Sequence, residues 1–312
     1  APSGTANAIT GEVGGRNPSR NDYPSRSSSF PNDDGTQVIQ SWSNVDPPAS
    51  NSTVSGIDFG FNFSTIVNTR DATSCGPTGS SYPCQGTLRQ FLINSEALAN
   101  PSAQAGLPSG YETSIFMIPV ANGAVANITL AGALPALTAA STRLDATTQT
   151  ANIGNTNSGT VGSVGTAASV GIDGVVLPGF QRPEVQLTAN NTTLTLAGPN
   201  QTLMGFALAQ GYILVSGSAS GATVSGNLVG FTATGASSSG GAIHGITFAG
   251  PSARITGNYV AVDNSGIRGD NPATGTVIEY NEVTRPATGH SNTFDGILII
   301  GAASGITVRN NL

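Results

Sequence analysis

The sequence predicts an all-β chain wound as a parallel solenoid, and two observations carry that prediction. Four segments in the last third align: Val224-Ser-Gly-Asn227, Ile255-Thr-Gly-Asn258, Ile278-Glu-Tyr-Asn281 and Val308-Arg-Asn-Asn311. Leu203-Met-Gly-Phe206 reads as a degenerate earlier copy with Phe at the Asn position, so successive copies are 21, 31, 23 and 30 residues apart. A fixed strand-end pattern at unequal steps is what stacked coils produce when loops vary and strands stay in register. A second apolar strand precedes the copies, as in Ile213-Leu-Val, Ile246-Thr-Phe and Ile297-Leu-Ile-Ile. The second observation is composition: charged residues make up 9% of the chain and there are 41 glycines. Helical proteins need charged outer faces, and soluble domains average about 25% charge.

The elements follow in order. Residues 1–65 are Pro- and Ser-rich with isolated strands, the clearest alternating at Ile57, Phe59, Phe61 and Phe63. Residues 66–111 hold a cysteine loop and a helix. Cys75 and Cys84 bracket a segment with two Pro and two Gly that brings its ends together readily. They read as a local disulfide, with two free thiols as the alternative, and the pair places the protein outside the cytoplasm. Thr87-Leu-Arg-Gln90 is a capping box that starts the one convincing helix, running to about residue 100 with Leu88, Phe91, Leu92 and Leu98 on one face. Such a helix in front of an all-β chain suggests a lid. From residue 112 to 312 short strands alternate with Gly, Ser, Thr and Asn turns, interrupted by a flexible insertion at about 154–171. About eight coils of about 25 residues are expected, a rod on the order of 40 Å long.

The repeated asparagines have a structural reason to recur. A sharp bend needs a residue tolerant of left-handed geometry. Side chains of Asn227, Asn258, Asn281 and Asn311 can also hydrogen-bond from coil to coil as a ladder. Two positions before each stand Ser225, Thr256, Glu279 and Arg309, expected to point outward and stack. Glu279 beside Arg309 would then be a surface pair worth about 0.2–1 kcal/mol.

Several stretches resemble a known group: Ser55-Gly-Ile-Asp-Phe-Gly-Phe-Asn-Phe, Asn68-Thr-Arg-Asp, Gly86-Thr-Leu-Arg-Gln-Phe-Leu-Ile-Asn, Glu112-Thr-Ser-Ile-Phe-Met-Ile-Pro, Thr142-Arg-Leu-Asp-Ala-Thr-Thr-Gln and Arg182-Pro-Glu-Val-Gln-Leu. Together they are similar to large bacterial secreted or surface proteins with right-handed parallel β-helix repeats. The resemblance spans about residues 53–312. It implies a right-handed single-stranded parallel β-helix, export to the cell surface and a larger multidomain parent. It also implies that residues 1–65 are the remnant of an upstream immunoglobulin-like module. It carries over no catalytic residues.

Chemistry is narrowed by what is missing. All eleven basic residues are Arg, so Schiff-base and lysine-base mechanisms are excluded. Net charge of -6 without a basic cluster disfavours nucleic acid. No apolar run reaches the length of a transmembrane helix. An enzyme acting on polysaccharides would need converging carboxylates or an Arg base beside acidic groups, often with Ca²⁺. The candidates are Asp263, Asp270, Glu279, Glu282 and Asp295, which do not occupy equivalent repeat positions. His244 and His290 share no repeat position and read as turn residues. Tyr212, Tyr259 and Tyr280 form a sugar-stacking strip if exposed; at Tyr280, in the slot before a ladder Asn, core packing is the expectation. The sequence therefore suggests a non-catalytic extracellular structural or adhesive solenoid without a cofactor. Its expected partners are its own kind through solenoid ends, or surface glycans. The alternative is a carbohydrate-active enzyme or glycan-binding module on a lateral face.

Overall fold

The computed structural model describes residues 65–68, 70, 86–97, 107–130, 132–172, 174–189, 191, 193–238, 244–272, 274–285 and 294–312. The strand expected at 57–63, the Cys75–Cys84 loop and His290 lie outside these residues.

Three parallel sheets run the length of the stack. The first face has seven strands: Glu112–Thr113, Thr142–Asp145, Thr202–Met204, Thr223–Ser225, Arg254–Thr256, Val277–Glu279 and Thr307–Arg309. The second has six: Ala126–Thr129, Val185–Thr188, Phe206–Ala209, Leu228–Val229, Tyr259–Ala261 and Glu282–Thr284. The third has five: Thr193–Leu196, Tyr212–Val215, His244–Phe248, Ser265–Asp270 and Asp295–Ile300. The chain visits the faces in turn and pairs each strand with its equivalent one coil away, so the molecule is a parallel β-helix. Every coil is a crossover between parallel strands, a connection that is right-handed as a rule.

Register puts like on like. Leu144, Leu203, Val224, Ile255, Ile278 and Val308 align on the first face. Leu187, Leu208, Val229, Val260 and Val283 align on the second. Apart from Val308, which is exposed on the last strand, these columns and Ile213, Ile246 and Ile267 of the third face belong to one continuous core, with Val283 packed against it half-buried. Each fully buried aliphatic side chain contributes about 1.5–3 kcal/mol relative to exposure. At the corner between the second and third faces space is short. A Cβ at Gly245 would lie 2.4 Å from Val260 Cγ1, and one at Gly266 would lie 2.1 Å from Val283 Cγ1.

Seven strands at about 4.8 Å spacing make a stack about 30 Å long, shorter than the sequence suggests. The difference lies in residues 146–182, which leave the coil instead of adding to it. Part of this excursion is a second helix, Thr147–Ile153, that the sequence pattern does not reveal. Its polar side chains act as a neighbouring strand would. Thr148 Oγ1 accepts from the Phe116 N–H at 2.9 Å, and the Gln149 amide both accepts from and donates to the Ile118 backbone at 2.8 and 2.7 Å.

The helix Leu88–Ala97 covers the start of the stack, with Leu88, Phe91 and Leu92 in the main core. The Thr87 hydroxyl accepts from the Gln90 N–H at 3.0 Å, and the Gln90 side chain donates to Asn94 at 2.6 Å. Arg89 donates to the Ala133 carbonyl and the Glu96 carboxylate accepts from the Thr138 and Ala139 N–H groups, tying the helix to the first coil.

Left-handed geometry falls one residue earlier than expected. Gly205, Gly226, Gly257, Tyr280 and Asn310 have positive φ, and the asparagines that follow do not. The bend is made by the preceding residue, which frees each ladder Asn to turn its side chain inward.

Candidate functional site

Polar groups gather in three places: the corner column of asparagines, the outer side of the first face, and the outer side of the second face.

In the corner column, Asn227 Nδ2 donates to Asn258 Oδ1 at 3.0 Å, Asn258 to Asn281 at 2.9 Å and Asn281 to Asn311 at 2.9 Å. Each Oδ1 also accepts the backbone N–H of the preceding rung, and each Nδ2 donates to a backbone carbonyl of the preceding coil, as Asn258 does to Val224 at 3.0 Å. At Phe206, which has no amide to offer, the backbone N–H still donates to Asn227 Oδ1 at 3.0 Å. Asn227, Asn258 and Asn281 are fully buried, so the ladder is internal scaffolding rather than a surface.

On the first face Ser225, Thr256, Glu279 and Arg309 stand in one row. Glu279 is not the surface partner expected: its side chain is wholly buried, whereas Arg254 and Arg309 are about half exposed. Arg254 pairs with one carboxylate oxygen and Arg309 with the other, its Nη2 2.7 Å away. Two guanidiniums on flanking coils close over the carboxylate and exclude water. The Arg309 guanidinium is held more firmly protonated by its hydrogen bond to, and the charge of, Glu279.

The second face is crossed by an arm. The insertion expected as a flexible surface loop is a hairpin laid over the coils. Thr160–Val161 pair antiparallel with Phe180–Gln181, and Ser169–Val170 with Val175–Val176. Its root is pinned by Glu184, which accepts from the Thr156 hydroxyl and the Asn157 N–H at 2.5 and 3.0 Å. Farther along, Val161 joins an apolar cluster of Ala207, Leu228, Phe231, Ala233 and Ala261. Phe180 stacks on Tyr259 with centroids 5.4 Å apart, and Phe231 stacks on Tyr259 at 4.2 Å. Ser163 gives its N–H and its hydroxyl to the two oxygens of Glu282 at 2.8 and 2.9 Å. Nearer the tip, Ala168, Val170 and Leu177 pack with Tyr280, so that ring lies under the arm and not in the main core. Burial first, and then the charge of Glu282, pushes the Tyr259 hydroxyl above its ordinary pKa.

The five candidate carboxylates are dispersed over the three faces. Glu279 ends a first-face strand and Glu282 begins a second-face strand. Asp263 lies in the turn that follows Tyr259–Ala261; Asp270 pairs with Arg268 at 2.8 Å on the third face; Asp295 opens the last third-face strand. The three tyrosines likewise form no strip: Tyr212 is on the third face, Tyr259 on the second and Tyr280 at a corner. His244 begins a third-face strand. Among the described residues no group of three or more His, Cys, Asp or Glu is placed to hold a metal ion. No described helix is long and apolar enough to cross a membrane.

One titratable group escaped sequence reasoning. Glu112, in the first coil, is buried, and its Oε2 has no hydrogen-bond partner among the described residues. Its carboxyl is pushed up to about 7, by burial first and then by the charge of Glu96. Nothing in its local sequence pattern marks it.

No protein-family model, curated protein or solved structure matches the chain.

Proposed function

We propose that the chain is a non-catalytic structural and adhesive rod, working outside the cell as part of a larger surface protein. The observation that carries this reading is how the acidic groups are used. Glu279 is closed in by two arginines, Glu282 by Ser163, and Glu184 by Thr156 and Asn157. A carboxylate with both oxygens engaged by fixed donors is a structural fastener rather than a poised acid or base. The buried asparagine ladder runs through four coils and supports a stiff, durable stack. Val308, in the strand Thr307–Arg309, and Leu312 are both exposed. Exposed apolar side chains beside strand backbone suit pairing with another copy of the chain. The secreted location rests on the Cys75–Cys84 pair and on the resemblance to bacterial surface proteins.

The test is direct. The purified chain is incubated with a panel of neutral and acidic polysaccharides, and reducing ends and unsaturated products are measured. No release above the blank is expected; sustained turnover that disappears on mutating Glu282 or Glu279 overturns the reading in favour of an enzyme. Sedimentation over a wide concentration range tests association through these side chains, with Val308→Arg expected to abolish any self-association seen.

A further inference from the structure

The geometry points to the arm as a displaceable cover over a binding groove for neutral sugar chains, with Tyr259 and Glu282 as the recognition pair. This deepens the adhesive reading and rests on it.

The groove is built by register. Asn127, Gln186, Ala207, Leu228, Tyr259 and Glu282 occupy one outward row of the second face, each on the next coil. Moving along the row, the surface changes from amide to aliphatic to aromatic to carboxylate. An apolar floor bounded by an aromatic plate and a hydrogen-bonding carboxylate suits a pyranose, whose flat faces carry C–H groups and whose edges carry hydroxyls.

The present occupant of that place has the same chemistry. The Phe180 ring lies nearly parallel to Tyr259, with 10° between planes, where a sugar ring would stack. Ser163 offers two donors to the two oxygens of Glu282, as a pair of neighbouring hydroxyls would. The arm therefore satisfies the groove as an internal stand-in. An acidic sugar is disfavoured, because its carboxylate would face Glu282.

The arm is suited to leaving. A two-stranded hairpin is marginal by itself, and this one has only two short paired segments. It exposes Val164, Ile172 and Val176 to solvent. Its buried side chains sit in two small clusters apart from the main core, and peripheral units of this kind open at free energies below global unfolding. Its seating is also tight at one point. Gly162 has φ of +87°, and a Cβ there would lie 2.7 Å from the Phe180 ring and 2.8 Å from Glu282 Oε2. A side chain at 162 would collide with Phe180 and with Glu282 when the arm is seated, prising the arm off while leaving every groove residue in the sequence unchanged.

The experiment uses the whole chain carrying Gly162→Val, with cellohexaose, maltohexaose and an oligogalacturonate as probes. Hydrogen exchange first establishes that residues 159–181 lose protection while the coils keep theirs. If the arm remains protected, a variant with 159–181 replaced by a Gly-Ser linker takes its place. The opened protein is expected to bind at least one neutral hexasaccharide at least ten-fold more tightly than wild type, and the oligogalacturonate no better. Tyr259→Ala or Glu282→Gln in the opened background should return binding to the wild-type level, with Tyr259→Phe retaining it. An opened, folded protein that binds neither neutral probe, or one whose binding survives Tyr259→Ala, overturns the proposal. That failure leaves the structural-rod reading intact, since that reading falls on polysaccharide turnover and not on binding.

Discussion

Asn258 and Asn281 stand on successive coils with Nδ2 of the first 2.9 Å from Oδ1 of the second, and that same oxygen takes the Asn258 backbone N–H at 2.9 Å. One carbonyl oxygen therefore serves two buried donors, and the rungs above and below repeat the arrangement.

Asn258→Ala should be among the most damaging single substitutions in the chain. It strands the buried Asn227 N–H, leaves Asn227 Nδ2 with only its bond to the Leu203 carbonyl, and removes the donor to the Val224 carbonyl. Unsatisfied groups of this kind cost about 1–3 kcal/mol apiece. A loss of about 2–4 kcal/mol is expected in urea denaturation, whereas Asn311→Ala at the more open end should cost less. Equal losses at the two positions would contradict the ladder's depth profile.

Glu112 makes stability depend on pH. Its carboxyl is raised from 4.5 to about 7, so the folded state favours the neutral acid. A group of this kind stabilises fully below its unfolded value and loses that contribution as pH rises through the folded value. Wild-type Tm should therefore fall, relative to Glu112→Gln, between about pH 4.5 and 7 and level off above. Calorimetry at pH 5 and pH 8 checks this; parallel Tm curves for the two proteins would refute it.

The arginines around Glu279 should matter more than Glu279 itself. Removing Arg254 and Arg309 together leaves a buried carboxylate without its partners, a strongly unfavourable state. Glu279→Thr instead continues the row of Ser225 and Thr256 and frees two half-exposed arginines to water. The double Arg→Ala variant is expected to show the larger drop in denaturation midpoint. The reverse order would show that the carboxylate is not the costly member.

Two corner glycines separate backbone strain from crowding. Gly205 and Gly257 both have positive φ, at +76° and +64°. A Cβ at Gly257 meets nothing within 4 Å, whereas one at Gly205 would lie 2.7 Å from Thr147 Cγ2. Gly257→Ala should cost about 1–2 kcal/mol, the left-handed term alone. Gly205→Ala should cost measurably more by the same denaturation measurement.

The stack was legible in the sequence because its cause is local and repeated. A left-handed residue followed by Asn marks each corner, and even the degenerate copy at Phe206 keeps its place in the hydrogen-bond chain. The arm was not legible. Val161, Val170, Leu177 and Phe180 are spaced as in a Gly-rich loop, and their partners Leu228, Tyr259 and Tyr280 lie 67 to 110 residues on. The apolar stretch Val175-Val-Leu-Pro-Gly-Phe180 was the one available signal that the segment packs against something. Glu279 misled for a related reason: alternation along the strand gives its direction but not the two guanidiniums that cover it.

The arm also fixes how many coils lie between its root and its tip. It leaves the stack beside Glu184 and must bring Ser163 to Glu282 and Gly171 beside Asn310, several coils farther on. Adding or deleting one coil between root and tip would shift every one of these partners by about 4.8 Å, enough to unseat Phe180 from Tyr259. Repeat proteins ordinarily drift in length because each unit contacts only its neighbours. Here a single hairpin works as a ruler, and insertion or loss of a coil in this stretch would be a loss-of-fit event rather than a neutral one.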